Sequence, residues 1–217
     1  MEIDLLKRYP KTKRDLSARS LEKTDEVRAV ARQFGKEFFD GDRKYGYGGF
    51  NYHPRFWTEA VQDIIKHYSL DNQSSILDVG CGKGFMLYDM SRFLPQANFL
   101  GIDISEYAIK NCMKEVNEFL AVGDAKNLSA FDDKSFDLVV SINTVHNLEH
   151  KECAQALQEI ERVGKHKFIT VDAWRNKDQE RAMKAWNLTA KTMMHVDEWK
   201  KFFDNIGYSG DYYWFTP

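Results

Sequence analysis

The stretch Ile76–Gly84, ILDVGCGKG, decides the fold class of this chain of 217 residues. It begins as a buried β-strand and continues into a turn in which Gly80, Gly82 and Gly84 alternate with other residues. Glycine tolerates backbone torsions that other residues avoid, and without a Cβ it lets a ligand approach the main chain closely. A helix starting after Gly84 would add unpaired N–H groups to the same place. The stretch therefore predicts a ligand-binding turn at the carboxyl end of a parallel strand.

Strands and helices alternate along the chain beyond residue 74. We predict strands at 75–79, 98–104, 116–121, 136–142 and 167–172. We predict helices at 84–93, 106–114 and 151–163, and one short turn of helix within 124–133. A helix near 178–190, a strand near 192–195, a helix at 197–205 and a strand near 212–215 complete the pattern. This alternation predicts a mostly parallel sheet with helices on both faces.

The N-terminal third has a different character. We divide the chain into residues 1–72, an arm with helices and a loop rich in Gly and Tyr, and residues 73–217, the core of one structural domain. We expect residues 1–24 to form either a solvated arm or a lid over the active site. Thr24 suits the N-cap of a helix that continues to about Asp40, and a second helix is expected at 55–68.

Composition excludes several classes of protein. The hydrophobic content of 43% and the formal charge of -2 describe a globular domain with no general affinity for nucleic acid. Cys81, Cys112 and Cys153 lack the spacing of a zinc site or a C-x-x-C motif, so we expect free thiols and no metal. The N-terminus has no apolar signal core and no segment reaches membrane-spanning length. We therefore expect a cytoplasmic protein, either a monomer or a homodimer.

Acidic and amide residues follow the next strands in order. Asp103, followed by Ile104, ends the second strand, where a carboxylate can accept hydrogen bonds from both hydroxyls of a ribose or can cap the next helix. Asp124 and Ala125 follow the third strand, where they can bind an adenine edge or merely form a turn. Asn143 ends the fourth strand. Because parallel strands end at one edge of the sheet, these residues and the glycine turn predict a nucleoside site.

The D-x-G-x-G-x-G pattern resembles motif I of the class I S-adenosylmethionine (SAM) methyltransferases. The resemblance covers roughly residues 74–172 and implies a Rossmann-like α/β fold with a seven-stranded sheet and an N-terminal helical lid. It also implies SAM as cofactor and S-adenosylhomocysteine (SAH) as product. In this family the methionine and ribose region would be shaped by five positions, namely Asp78, Gly80, Cys81, Gly82 and Gly84. Asp103 and Ile104 would hold the ribose and one adenine face, Asp124 and Ala125 the adenine edge, and Asn143 would lie near the sulfonium.

Two segments depart from the family pattern. The Asn/Asp-Pro-Pro-Tyr-like tetrapeptide of many nucleic-acid and protein N-methyltransferases is replaced by Asn143–His146. A neutral imidazole at His146 would remove a proton from an acceptor hydroxyl. In the alternative, His146 starts a helix and is tied to backbone. The Lys-Pro-Gly-Gly turn before the fifth strand is replaced by Val163–Lys167, which should alter that turn.

The loop between residues 41 and 54 combines cations, phenols and glycines. Arg43, Lys44, Tyr45, Tyr47 and Tyr52 could cradle an anionic acceptor, with Arg43 and Tyr45 nearest the chemistry, or the tyrosines could simply pack the loop onto the sheet. Further candidates for the acceptor side are Arg55, Trp174 and Arg175. The loop resembles one in small methyltransferases encoded with bacterial capsule and O-antigen assembly, some of which act on a sugar or a phosphoramidate-type group.

The sequence therefore predicts a SAM-dependent methyltransferase acting on an oxygen of a small, anionic or sugar-like acceptor in surface-polysaccharide biosynthesis. A catalytically silent SAM-binding partner protein is the first alternative. An NAD(P)-dependent oxidoreductase is the second, because it shares the glycine turn and the later acidic residue. The spacing argues against it, since Phe85 stands where G-x-G-x-x-G requires its last glycine.

Overall fold

A computed structural model describes residues 1–10, 22–48 and 50–216. Its strands are β1 Ser75–Val79, β2 Asn98–Asp103, β3 Leu120–Val122, β4 Phe136–Ile142, β5 Gly164–Trp174, β6 Met194–His195 and β7 Asp211–Phe215. Its helices are α1 Asp25–Ala31, α2 Lys36–Asp40, α3 Pro54–His67, α4 Phe85–Phe93, α5 Glu106–Lys110, α6 His150–Val163, α7 Lys177–Trp186 and α8 Val196–Ile206. Short 3-10 helices lie at Arg43–Tyr45, Lys114–Phe119 and Val145–Asn147.

The seven described strands pair in parallel throughout, which confirms the predicted fold class. The strand order begins β3-β2-β1-β4-β5, with β7 beside the middle of β5 and β6 paired to its last two residues. From β1 the chain continues outward to β2 and β3, and it then returns to place β4 on the other side of β1. This reversal of direction leaves a crevice at the carboxyl end of β1. The glycine turn lies in that crevice.

Helices cover both faces of the sheet, and each face has its own apolar core. On one face α6 and α8 contribute Leu157, Ile160 and Trp199, all with no exposed surface. On the other face α3 and α4 contribute Ile64 and Leu87, which are equally buried. The buried positions of α6 recur at spacings of three and four, so one stripe of the helix faces the sheet.

The predicted helix from Thr24 to about Asp40 is in fact two helices. Thr24 does act as N-cap, since its Oγ1 accepts a hydrogen bond from the backbone N–H of Val27 at 3.3 Å. The helix then breaks at Phe34, whose φ of 49° is incompatible with an α-helix, and a second helix starts after Gly35. Part of the predicted arm, residues 11–21, lies outside the described residues, as does Gly49 in the loop.

Four predictions within the core are corrected. The segment predicted as the third strand is a 3-10 helix over Lys114–Phe119, and β3 is only Leu120–Val122. Helix α5 stops at Lys110, and the segment 124–133 contains turns without a helix. The fifth strand starts early, because α6 ends at Val163 and β5 begins at Gly164 without an intervening turn. Gly164 permits this direct passage, since a Cβ there would lie 2.8 Å from Val139.

Tyr52, predicted to bind the acceptor, instead fixes the loop to the core. Its hydroxyl donates to Oδ1 of Asp89 at 2.9 Å, and Thr58 Oγ1 donates to the same oxygen at 3.0 Å. Asp89 belongs to α4 and has no exposed surface. The two bonds join the loop, α3 and α4 around one buried carboxylate. A buried acceptor that loses its donor costs more free energy than one exposed hydrogen bond contributes.

We predict that Tyr52→Phe lowers the free energy of unfolding by about 1.5–3 kcal/mol, because it removes a hydrogen bond to a buried carboxylate. Tyr45→Phe is the matched control, since no hydrogen bond of the Tyr45 hydroxyl is found within the described residues, and it should have almost no effect. Urea unfolding of both variants measures the difference. Equal stabilities would show that Asp89 does not depend on Tyr52.

Candidate functional site

The glycine turn after β1 is bound to the end of β2 by three hydrogen bonds. The backbone N–H groups of Gly80 and Cys81 both donate to the carbonyl of Ile102, at 2.7 and 3.0 Å. The N–H of Gly82 donates to Oδ2 of Asp103 at 2.8 Å. Gly80 and Gly82 have φ values of 87° and 55°, which side chains with a Cβ rarely adopt. The turn therefore holds its shape through the neighbouring strand.

Two carboxyl groups are buried beside this turn. Burial, with the nearby Asp103 as the second cause, raises the pKa of Asp78 to about 8. Burial also raises the pKa of Asp103, although its hydrogen bonds from the N–H groups of Ser105 and Gly82 oppose the shift. The pKa of Asp78 thus lies above neutral pH, whereas the ionised form of Asp103 is the one supported by two backbone N–H donors.

A cavity of about 970 Å³, the central cavity, opens at the carboxyl ends of the strands. Its walls include seven of the residues predicted to bind the cofactor: Gly80, Gly82, Asp103, Ile104, Asp124, Ala125 and Asn143. Ile104 is 58% exposed, which is unusual for an isoleucine directly after a buried strand. An apolar side chain beside a carboxylate and a bare glycine backbone suits the nucleoside of SAM.

The other three predicted cofactor residues lie elsewhere. Asp78 and Cys81 line a smaller adjoining cavity of about 270 Å³, which shares Gly80 and Gly82 with the central cavity. Gly84 lines neither cavity. A Cβ on Gly84 would lie 2.8 Å from both Val116 and Leu120, so this glycine serves close packing and the start of α4.

The helix α2 is attached directly to the glycine turn. Lys83, within the turn, places its Nζ 2.5 Å from Oδ1 of Asp40, and Tyr107 donates to the other oxygen of Asp40 at 2.8 Å. Burial alone would raise the pKa of Asp40, but these two partners hold it below its ordinary value. Phe39 of the same helix would lie 3.4 Å from a Cβ on Gly82. Lys83 and Phe39 escaped the sequence analysis, although Lys83 lies inside the motif itself.

His146, in the 3-10 helix after β4, has hydrogen bonds that differ from those of the predicted base. Nδ1 of His146 accepts a hydrogen bond from the backbone N–H of Asp172 at 3.1 Å, and burial lowers the pKa of the ring. A neutral ring that accepts at Nδ1 carries its proton on Nε2. His146 lines the central cavity as a hydrogen-bond donor and cannot serve as the base in this arrangement. It is tied to backbone, as the alternative reading expected.

Only some of the predicted acceptor residues reach the central cavity. Tyr47, Arg55 and Arg175 line it. Tyr47 stacks on Trp186 with ring centroids 5.4 Å apart, and its hydroxyl accepts from the N–H of Leu188 at 2.8 Å.

Five other predicted acceptor residues are absent from the described walls of the cavity, namely Arg43, Lys44, Tyr45, Tyr52 and Trp174. Arg43 donates to the carbonyl of Gly46 in its own loop, and Lys44 lies over the Tyr45 ring at 4.9 Å. Both cationic side chains thus contact other residues of the same loop.

The described residues offer neither a metal site nor a membrane-spanning helix. They contain no group of three or more His, Cys, Asp or Glu side chains placed to share a metal ion. None of their helices combines the length and apolarity needed to cross a bilayer.

Comparison with known families agrees with this geometry. Residues 77–169 match a family described as a methyltransferase domain, and the match contains both the glycine turn and Asp103. Over this segment, which is less than half of the chain, the sequence is therefore similar to that methyltransferase domain family. A SAM-dependent methyltransferase from Archaeoglobus fulgidus shares the fold, with a TM-score of 0.53 and 22% identity over 70% of each chain.

Sequence relatives match this chain only in part. The phthiotriol/phenolphthiotriol dimycocerosates methyltransferase of Mycobacterium tuberculosis is 37% identical over 35% of this chain and 28% of its own length. The release factor glutamine methyltransferase of Flavobacterium psychrophilum is 33% identical over 46% of this chain and 37% of its own length. The chain thus spans less than half the length of either relative.

We predict that Asp103→Ala weakens SAM binding about tenfold or more, because a charge-assisted hydrogen bond contributes roughly 1.5–3 kcal/mol. Asp197→Ala, on the exposed start of α8, is the control and should bind SAM normally. Titration calorimetry measures both affinities, and circular dichroism checks the fold. Unchanged affinity in Asp103→Ala would remove Asp103 from the binding site.

The raised pKa of Asp78 predicts a dependence of stability on pH. Its ordinary pKa is 3.8 and its folded pKa is about 8, so between these values the unfolded chain loses the proton while the folded protein keeps it. The contribution of Asp78 to the free energy of unfolding is therefore fully present below about pH 4. It is lost as the pH rises towards 8, by up to about 1.4 kcal/mol per pH unit. Asp78→Asn should lack this contribution. Urea unfolding at several pH values measures the free energy of unfolding of the wild type and of Asp78→Asn. The difference between the two proteins should change across this pH range, and a constant difference would contradict the assignment.

Proposed function

We propose that this chain transfers the methyl group of SAM to an oxygen of a small-molecule acceptor. One observation carries the proposal: a single cavity joins the glycine turn and Asp103 to a space with aromatic walls. Trp57, Trp186 and Tyr213 contribute to that space from α3, α7 and β7. Concave, largely apolar sites with a few polar groups are typical of small-molecule binding.

The residues of the chain act mainly by positioning. SAM, when bound, supplies an electrophilic methyl group, so the protein has to align the acceptor and exclude water. Gly80 and Gly82 offer main chain to the methionine part of the cofactor, and Asp103 offers a carboxylate to its ribose. The aromatic walls and α2, attached through Lys83 and Asp40, close the space around the acceptor.

The acceptor we propose carries an anionic or sugar-like group, as in a sugar or a phosphate or phosphoramidate derivative of surface-polysaccharide biosynthesis. Arg175 and Arg55 are the cavity residues that support an anionic group, in place of Arg43 and Lys44. Arg175 pairs with Glu2, so it is held at the cavity wall. The names of the two relatives mention a dimycocerosate and a release factor glutamine, so these two similar proteins differ in their acceptors.

The two alternatives make different predictions about ligands. A silent SAM-binding partner protein would bind SAM but would produce no SAH. An NAD(P)-dependent oxidoreductase would bind the dinucleotide. The arrangement around Asp124 and Ala125 at the cavity wall supports adenosine binding in any of these cases, so the measurement has to separate them.

We predict that the purified chain binds SAM and SAH but not NAD, and forms SAH with a member of a panel of sugars, sugar phosphates and phenols. Calorimetry with each nucleotide and transfer of tritiated methyl groups from SAM measure the two properties. SAM binding without SAH formation would support the silent partner. NAD binding without SAM binding would support the oxidoreductase.

We further predict that Arg175→Ala raises the Michaelis constant of an anionic acceptor about tenfold, since it removes a charged hydrogen-bond donor from the cavity wall. Arg43→Ala is the matched control, and we expect it to leave that constant and the SAM affinity unchanged. Sulfate should compete with the acceptor in the wild type and less in Arg175→Ala. An effect of Arg43→Ala alone would return anion binding to the loop.

A further inference from the structure

The ends of β4 and β5 bring one donor and one acceptor together in the central cavity. Nε2 of His146 lies 3.8 Å from Oδ1 of Asp172, and both side chains are more than nine-tenths buried. Both residues line the cavity next to Asn143. The separation exceeds the length of a direct hydrogen bond, so the two groups are neighbours without being bonded to each other.

The backbone of Asp172 fixes which nitrogen of His146 carries the proton. Because the N–H of Asp172 donates to Nδ1, the neutral ring presents Nε2–H towards the cavity. Burial lowers the pKa of the ring, although the nearby Asp172 opposes the shift, and so favours this neutral form. A second bond restrains the same strand end, since Nε1 of Trp199 donates to the carbonyl of Asp172 at 3.0 Å.

We propose that Asp172 and His146 bind the acceptor through a protonated hydroxyl group, and that Asp172 is the base that receives its proton. An oxygen at hydrogen-bond distance from both Nε2 and Oδ1 accepts from the first and donates to the second. A hydroxyl has both capacities, whereas an ionised phosphate oxygen has no proton to donate and is repelled by the carboxylate. The inference rests on the proposed function and selects an alcohol or phenol as the methylated group.

The proposed step balances in atoms and charge. The hydroxyl oxygen forms a bond to the methyl carbon while the bond from that carbon to sulfur breaks, and the hydroxyl proton passes to the carboxylate of Asp172. His146 keeps its Nε2 proton, and its N–H stabilises the negative charge that the oxygen gains as the hydroxyl proton leaves. An anionic group elsewhere on the same acceptor remains compatible with Arg175.

The arrangement has a consequence for binding that does not require the natural acceptor. Phenol and anisole, its methyl ether, are similar in shape, but only phenol has an O–H to donate. In the presence of SAH, the wild type should bind phenol about tenfold more tightly than anisole, because one hydrogen bond to a charged group is worth at least that. Ligand-detected NMR titration measures both affinities.

Asp172→Asn should abolish the preference for phenol, while Asp178→Asn at the exposed start of α7 should retain it. Unchanged SAH affinity in both variants shows that the fold and donor site persist. Equal binding of phenol and anisole by the wild type, or a preference that survives in Asp172→Asn, would overturn the proposal.

The role of His146 has its own measurement. With 15N-labelled histidine, the His146 ring should show a proton on Nε2 and none on Nδ1. His146→Gln, which retains a donor near that position, should preserve more of the phenol preference than His146→Leu. A proton on Nδ1 in the wild type, or equal behaviour of the two variants, contradicts the arrangement.

Turnover separates this inference from the proposed function. For any panel alcohol or phenol that the wild type methylates, Asp172→Asn should lower the turnover number about 100-fold or more with SAM affinity preserved. Methylation by the variant at the wild-type rate rejects Asp172 as base. If the wild type forms no SAH with any acceptor, the proposed function fails, and the comparison of phenol with anisole still decides whether the hydroxyl site exists.

Discussion

The attachment of the glycine turn to the end of β2 is the constraint on which the site depends. Two N–H groups share the carbonyl of Ile102 and a third reaches the carboxylate of Asp103. A glycine turn without these partners would have unsatisfied amides and many accessible conformations. Because Asp103 also accepts from Ser105, one carboxylate fixes the turn and the start of α5 together. The proposed ribose ligand is therefore also a structural residue.

This construction places two carboxyl groups in a region with little water. Burying two charges beside each other is unfavourable, and the protein resolves the conflict by keeping Asp78 protonated while backbone donors support Asp103. Lys83 adds no charge to the pair, since its ammonium is directed to Asp40 on α2. The local field thus depends on one hydrogen-bonded carboxylate, and α2 is bound to the same turn through Lys83.

In the proposed function, the donor and acceptor sides share the central cavity but are built by different parts of the fold. The donor side comes from the turn and the ends of β2 and β4, which are fixed by the parallel sheet. The acceptor side combines the end of β5 with α3, α7, β7 and the loop around Tyr47. Contacts of this loop with Trp186 and Leu188 attach it to the core. Changes in these outer segments would alter the acceptor while leaving the nucleoside site unchanged.

The sequence by itself determined the fold class, the glycine turn and the order of the residues that follow each strand. Those features depend on local periodicity and on the rule that parallel strands end at one edge. Accordingly, β1 has the predicted bounds, Thr24 caps a helix as predicted, and Asp103 lies in the cavity wall. Only the tertiary structure decided which polar side chains enter the cavity. Arg43 turns into its own loop, and the N–H of Asp172 sets the proton on His146. Both outcomes depend on side-chain direction and on contacts between segments distant in the chain, which spacing along the sequence does not encode.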